Sequence, residues 1–301
     1  MHGVYQKSRE GFHPATPPGF FACEAAGLHW LDAAVGGPRV AQVLDFGPDH
    51  LDLEFIPSVH SIGDAAFSFG AKLANMHNAG APAWGSLPPG LNADGGNPLS
   101  DHGFFGPLDS PIPMEGGHWH DWPSFYGDAR LKVIAQQGHD RGVFTNDDVA
   151  LFDKVAARLP ELAGASLDDV PSRLHGDLWN GNIMWSFGKD HLCEVVLIDP
   201  AAHGGHRETD LAMLRLFGAP HLAEIMAGYE SVNPLADGWE GRIKLHQLYP
   251  IAVHAVLFGG HYLPETREIL NYYANLEIPQ GTEPADGEDF AAAAAADEEP
   301  N

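Results

Sequence analysis

The sequence predicts an α+β fold in two parts, a small β-rich N-terminal part and a larger, mainly helical remainder. Three observations lead there. Short apolar runs bounded by turn residues cluster before Pro57, and helical spacing dominates after it. One loop–strand–turn–strand segment, from His175 to Asp199, then interrupts the helices.

In chain order, residues 4–7 read as a strand, followed by a Gly/Pro-rich loop through Gly19. Residues 20–33 have helical spacing, with Phe21, Ala25, Leu28 and Leu31 on one side. Residues 40–46 and 51–56 read as two strands around the turn Gly47-Pro48-Asp49. Pro57 ends that section, so residues 53–58 form a natural connector. Ile62, Ala66, Phe69, Leu73 and Met76 make a stripe that predicts an amphipathic helix over 62–77. Residues 82–117 are rich in Gly and Pro and are expected to be an irregular surface segment. Thr145 is a candidate N-cap, with Asn146, Asp147 and Asp148 opening a helix whose apolar face holds Val149, Phe152, Val155 and Leu159. Helices are also expected over 210–217 and 242–258, the second apolar around so much of its surface that it should be central to the larger part. The boundaries implied are 1–56, 57–280, and a solvated, disordered acidic Ala-rich tail at 281–301.

Composition excludes several functions. Against 16 Lys+Arg stand 41 Asp+Glu, a net charge of −25 that disfavours nucleic acid and anionic membrane surfaces as partners. Cys23 and Cys193 are too few for a disulfide framework or a cysteine-based zinc site. No apolar run approaches a membrane span and no signal peptide is visible, so a cytoplasmic protein is expected.

The chemistry concentrates in His175-Gly176-Asp177-Leu178-Trp179-Asn180-Gly181-Asn182, which reads H-x-D-x-x-x-x-N, and in the apolar run 195–198 ending at Asp199. That is the order of a kinase-type phosphoryl-transfer site: a carboxylate for the acceptor hydroxyl, then an amide and a carboxylate for metal. Residues 183–185 and 193–198 read as paired strands, which would bring Asn182 beside Asp199. Both offer oxygen ligands of the kind Mg²⁺ takes, and Asp177 could accept a hydroxyl proton. A polar hairpin with turn-capping Asp and Asn is the alternative for either residue alone.

Other residues carry weaker signals. His175 is expected to brace the loop, and Asp210 to act as a brace or N-cap. Trp179 is the better candidate for substrate contact, whereas Trp119, Trp122, Phe125 and Tyr126 read as core, with a sugar-stacking wall as the alternative. The pairs His118/His120 and His203/His206 could each offer two imidazoles to a metal, but neither has an obvious third ligand.

From Lys7 to about Tyr273 the chain resembles the fructosamine kinase family, within the aminoglycoside-phosphotransferase and protein-kinase-like group. The segments that carry the resemblance are RLHGDLWNGNIMW (173–185), LIDPAAHGGHRETDLAML (197–214), HQLYPIAVHAVLFGGHY (246–262) and, more loosely, HWHDWPSFYGDARL (118–131). The resemblance implies a two-lobed protein-kinase-like fold that binds ATP and Mg²⁺. It also implies transfer of the γ-phosphoryl group to a sugar hydroxyl of a ketosamine such as a fructosamine or ribulosamine. Phosphorylation at the 3-position frees the amine, so the implied role is deglycation. By position, Asp177 looks like the catalytic base, Asn182 and Asp199 the metal ligands, Lys7 the strand lysine at the nucleotide phosphates and Glu24 its ion-pair partner. Glu54-Phe55-Ile56 resembles the hinge whose backbone holds the adenine edge. In this fold a glycine-rich hairpin precedes the strand lysine, and here Lys7 stands six residues after Met1. The small lobe therefore reads as N-terminally truncated. Two outcomes follow: a ketosamine kinase, or a kinase-like protein that binds nucleotide or sugar without phosphoryl transfer.

Overall fold

The computed structural model describes residues 3–8, 16–90 and 102–278. The chain forms two compact units, Met1–Phe125 with Val170–Pro234, and Tyr126–Asp169 with Leu235–Asn301. The tail at 281–301 lies outside the described residues.

In the first unit, β1 (Val4–Ser8), β3 (Val43–Phe46) and β4 (His50–Glu54) form an antiparallel sheet in the order β1-β4-β3, with Lys7 opposite Leu51. Leu51 and Leu53 alternate inward, as a half-buried strand requires. α1 (Phe20–Asp32) lies against this sheet and buries Phe21, Ala25, Leu28 and Leu31, the stripe expected from spacing. A short β2 (Arg39–Val40) pairs in parallel with β9 (Cys193–Leu197), which pairs antiparallel with β8 (Ile183–Phe187). β7 (Ser172–Leu174) pairs with β10 (His203–Gly205), and α6 (Arg207–Leu216) follows. α2 (Gly63–Asn78) buries Ala66, Phe69, Leu73 and Met76 and packs along α7 (Leu222–Glu230), a helix that periodicity did not reveal.

The expectation of irregular structure over 82–117 is corrected. Residues 102–115 hold an antiparallel hairpin, β5 (His102–Phe105) and β6 (Ile112–Glu115). Ile112 and Met114 point inward while Pro113 and Glu115 point out, a period of two that Gly106, Pro107 and Pro111 obscure in the sequence. Proline is tolerated because a two-stranded ribbon leaves each strand an outer edge.

The second unit is helical: α3 (Trp122–Tyr126) crosses the boundary into a π-helical turn (Gly127–Leu131), then come α4 (Lys132–Asp140), α5 (Asn146–Leu162), α8 (Trp239–Phe258) and α9 (Tyr262–Asn275). The helices over 122–140 and 262–275 were not among those read from spacing. α8 is buried on most of its surface, as expected of a central helix. It contains Pro250, which cannot donate a backbone hydrogen bond. The Tyr126 hydroxyl enters the ladder next to it, donating to Leu245 O at 2.7 Å and accepting from Tyr249 N at 3.2 Å. No helix among the described residues is long and apolar enough to cross a membrane.

Thr145 caps α5 as read from the sequence: its Oγ1 accepts from Asp148 N at 3.2 Å, and Asp148 Oδ2 accepts from Thr145 N at 2.8 Å. Arg267 on α9 grips the same carboxylate with Nε and Nη2, both at 2.8 Å. The Arg267 hydrogen bond, opposed by burial and joined by those of Thr145, holds the Asp148 carboxyl at about 2 against its usual 3.8. A depressed carboxylate contributes stability above its unfolded pKa and loses it as pH falls through its folded one. Asp148→Asn should therefore lower stability by about 1–2 kcal/mol at neutral pH. Urea unfolding of both proteins should show that gap closing as pH drops from about 4 toward about 2.

Candidate active site

The site is built on the β8–β9 hairpin. Ile183 pairs with Leu197, and Ile198 N donates to Asn182 O at 3.2 Å, so the residues flanking the hairpin ends converge. Asn182 Nδ2 donates to Asp177 O at 2.8 Å, to Asp177 Oδ2 at 3.0 Å and to Asp199 O at 3.5 Å. Asp177, Asn182 and Asp199 thus meet as their spacing predicts. Asn182 Oδ1 accepts no hydrogen bond from the described residues. The Asp199 side chain is 42% exposed, and its backbone is left-handed (φ 55), a strained conformation for a residue with a Cβ.

Lys7 reaches the same place from β1. Its Nζ lies 2.6 Å from Glu24 Oε1 on α1 and 2.6 Å from Asp199 Oδ1. Burial disfavours the ammonium, but the two carboxylates outweigh it and hold the Lys7 pKa above its ordinary value. Burial pushes Glu24 up to about 6, with Lys7 opposing and Asp199 adding. Burial likewise raises Asp177 to about 7, opposed by the Asn182 hydrogen bond and reinforced by Asp199 and Asp210. Asp177 is a carboxylate whose proton affinity lies near neutrality, the range suited to general-base work.

The loop that carries Asp177 is held from behind. Asp210, buried on α6, accepts from His175 N at 2.8 Å and from Gly176 N at 2.9 Å, and pairs with His77 Nε2 at 3.1 Å. Burial opposes its ionisation, yet His77, His175 and the Gly176 amide keep the carboxyl below its usual range. His175 is itself bonded on both sides of the ring. Its Nδ1 accepts from Asp177 N at 3.3 Å, and its Nε2 donates to Ile198 O at 2.9 Å. Burial lowers the pKa of that imidazole, which suits the neutral ring those bonds require. Gly176 is needed twice over: its φ is +84, and a Cβ there would collide with Ala201 O.

The segment Glu54-Phe55-Ile56 is partly committed within the unit. Glu54 Oε2 takes Arg39 Nη2 at 2.6 Å, Glu54 N donates to Gln42 O, and Phe55 N donates to Gly3 O, both at 2.9 Å. Ile56 N and O make no hydrogen bond among the described residues. Trp179 is 38% exposed and packs edge-to-face on Phe217, with ring centroids 5.6 Å apart. Trp122 and Phe125 are buried in the core of the first unit and Tyr126 in that of the second, which favours the packing reading of that cluster. His206 caps α6 through Nδ1 and stacks on Trp84, while His203 Nδ1 pairs with Ala201 O. His77 and its neighbour Tyr229 were not foreseen, because His77 lies beside the apolar stripe read for α2 and Tyr229 lies on α7, which periodicity did not reveal.

A family model described as fructosamine kinase matches residues 110–275. The chain belongs to that family. A Vibrio parahaemolyticus protein named "Probable ketoamine kinase" is 34% identical over 209 residues, 68% of this chain, and the chain spans 62% of that relative's length. The Arabidopsis thaliana "Protein-ribulosamine 3-kinase, chloroplastic" is 30% identical over 86% of this chain and 73% of its own length. Among solved structures, a "putative fructosamine-3-kinase" from Thermobifida fusca superposes with a TM-score of 0.76 at 39% identity, covering 90% of this chain and 85% of that one. A choline kinase from Streptococcus pneumoniae shares the fold at a TM-score of 0.55 and 14% identity, covering 91% of this chain and 86% of that one. The α+β, protein-kinase-like architecture expected from the motifs is therefore that of the chain.

Gly176→Ala should strain the loop and cost about 1–3 kcal/mol of local stability. Hydrogen exchange would register it as lost protection at the His175 and Gly176 amides.

Proposed function

We propose that the chain phosphorylates a sugar hydroxyl of a ketosamine, a fructosamine or ribulosamine, with ATP as the phosphoryl donor. The observation that carries this reading is the convergence of Asp177, Asn182, Asp199 and Lys7 in one unit. The names of its relatives support the substrate class.

Asp177 is the base. It accepts the proton of the sugar hydroxyl as that oxygen bonds to the γ-phosphorus and the bond to the departing ADP oxygen breaks. Its raised proton affinity makes it a competent acceptor near neutral pH. Lys7, held by Glu24, contributes a buried positive charge for the phosphates. Ile56 offers the free backbone N–H and C=O of the hinge to the adenine edge, with Glu54 and Phe55 fixing its position. Trp179 offers an aromatic face beside Asp177 to the sugar.

The free Asn182 Oδ1 and the part-exposed Asp199 carboxylate are a hard-oxygen donor set that fits Mg²⁺. When bound there, the ion would supply neutralisation of phosphate charge. Residues 1–56 serve as the nucleotide-holding lobe and 57–280 as the lobe that carries the acceptor chemistry. The partner is a small glycated amine, with the cytoplasm as the place of action and the −25 charge weighing against nucleic acid and anionic membranes.

Asp177→Ala should cut kcat by about 10²–10⁴-fold, and Asp199→Ala should do at least as much, with unfolding curves near wild type. A radiolabel-transfer assay to a synthetic fructosamine, beside a thermal-shift titration with ATP and Mg²⁺, reads both. Undiminished transfer by Asp177→Ala sinks the mechanism. Nucleotide binding without transfer by the wild type supports the non-catalytic alternative.

A further inference from the structure

Two glycines set how closely α2 and α7 cross. A Cβ at Gly70 would collide with the carbonyl oxygen of Ile225, and one at Gly228 with that of Phe67. Either side chain would push the two backbones apart. The close crossing brings the fully buried Tyr229 of α7 to His77 in the last turn of α2, with hydroxyl and Nδ1 2.8 Å apart. The two rings meet edge-to-face at 5.4 Å.

What His77 does on its other side gives this contact a direction. Its Nε2 faces Asp210 Oδ2 at 3.1 Å, and that carboxylate already takes the backbone amides of His175 and Gly176. An ionised carboxylate only accepts, so Nε2 must carry a proton. In a neutral ring Nδ1 is then the acceptor, and the Tyr229 hydroxyl is its donor.

We propose that Tyr229 is a positioning residue for phosphoryl transfer, whose hydroxyl anchors the His77 ring at Nδ1 and so fixes, through Asp210, the two amides that precede Asp177. The inference rests on the reading of Asp177 as the base. Without the hydroxyl, the buried Nδ1 has no donor among the described residues, a costly condition for a polar atom out of water. Asp210 still requires the proton on Nε2, so the ring relieves that condition by turning and shifting toward another donor. That movement carries the Nε2–H away from Asp210 and weakens one of the donors that orient it. The carboxylate then shifts, and the His175 and Gly176 amides shift with it. His175 passes the displacement to Asp177, because its Nδ1 accepts the Asp177 amide at 3.3 Å. A phenylalanine fills the same volume as the tyrosine ring, so Tyr229→Phe isolates the hydroxyl from the packing of α2 on α7.

The test combines nitrogen NMR of ¹⁵N-histidine-labelled protein with steady-state kinetics. In the wild type, His77 should show a pyridine-type Nδ1 and a pyrrole-type Nε2. In Tyr229→Phe the His77 Nε2 and Gly176 amide resonances should both be displaced, with the melting temperature lowered by only a few degrees. kcat should fall about tenfold while KM for ATP stays within about twofold. His77→Gln, whose amide can donate to Asp210 without help, should make the further change Tyr229→Phe almost free of kinetic effect. Wild-type His77 with both nitrogens pyrrole-type, or with the proton on Nδ1, overturns the proposal. So does Tyr229→Phe with unchanged kcat, or a full tenfold further loss in the His77→Gln background. The NMR pattern is read without turnover, so it decides the role of Tyr229 even if ketosamine phosphorylation itself is not found.

Discussion

One buried carboxylate orders the site. Asp210 sits out of water on α6, where a charge is costly unless several donors face it. The donors it collects are the His175 and Gly176 amides and the His77 imidazole. Satisfying Asp210 and setting the backbone just ahead of Asp177 are therefore the same event. Charge-assisted hydrogen bonds of this kind are short and directional, so the loop has little freedom to place Asp177 elsewhere. From there the 3₁₀ turn at Asn180–Asn182 and the β8–β9 register bring Asn182 and Asp199 to the same point.

Lys7 supplies the opposite charge. It joins β1, α1 and the end of β9 by bonding Glu24 and Asp199 at once. Asp177, Asp199 and Asp210 also act on one another, which is why burial and mutual repulsion both raise Asp177. A cluster with that surplus of negative charge suits a cationic complement, and Asp199 is the member most open to one. The chain as a whole is strongly acidic, so attraction to nucleotide phosphates must be local.

Much of the site was legible because its residues lie close in sequence or at ends of elements that patterning reveals. The spacing from His175 to Asn182, the apolar run into Asp199 and the hairpin between them needed only strand pairing to converge. Lys7 with Glu24 was readable only through family resemblance, since nothing local links a strand lysine to a helix glutamate. α7 went unseen because Gly228 lowers its helical propensity, and that glycine is explained only by the backbone of Phe67 lying against it. The His77–Tyr229 contact spans 152 positions and depends on that crossing, so no local pattern could announce it. The β5–β6 hairpin was hidden by its prolines, which an outer strand edge accommodates and a central strand would not.

On the function proposed above, these groups together move a phosphoryl group rather than only hold a nucleotide. Phosphorus NMR of the wild-type chain mixed with ATP, Mg²⁺ and a synthetic fructosamine tests it most directly. The γ-phosphate signal of ATP should decay while a phosphomonoester signal coupled to a sugar proton grows in step with ADP. Loss of the γ-signal to inorganic phosphate alone, or an ATP spectrum that is broadened by binding yet never consumed, would contradict it.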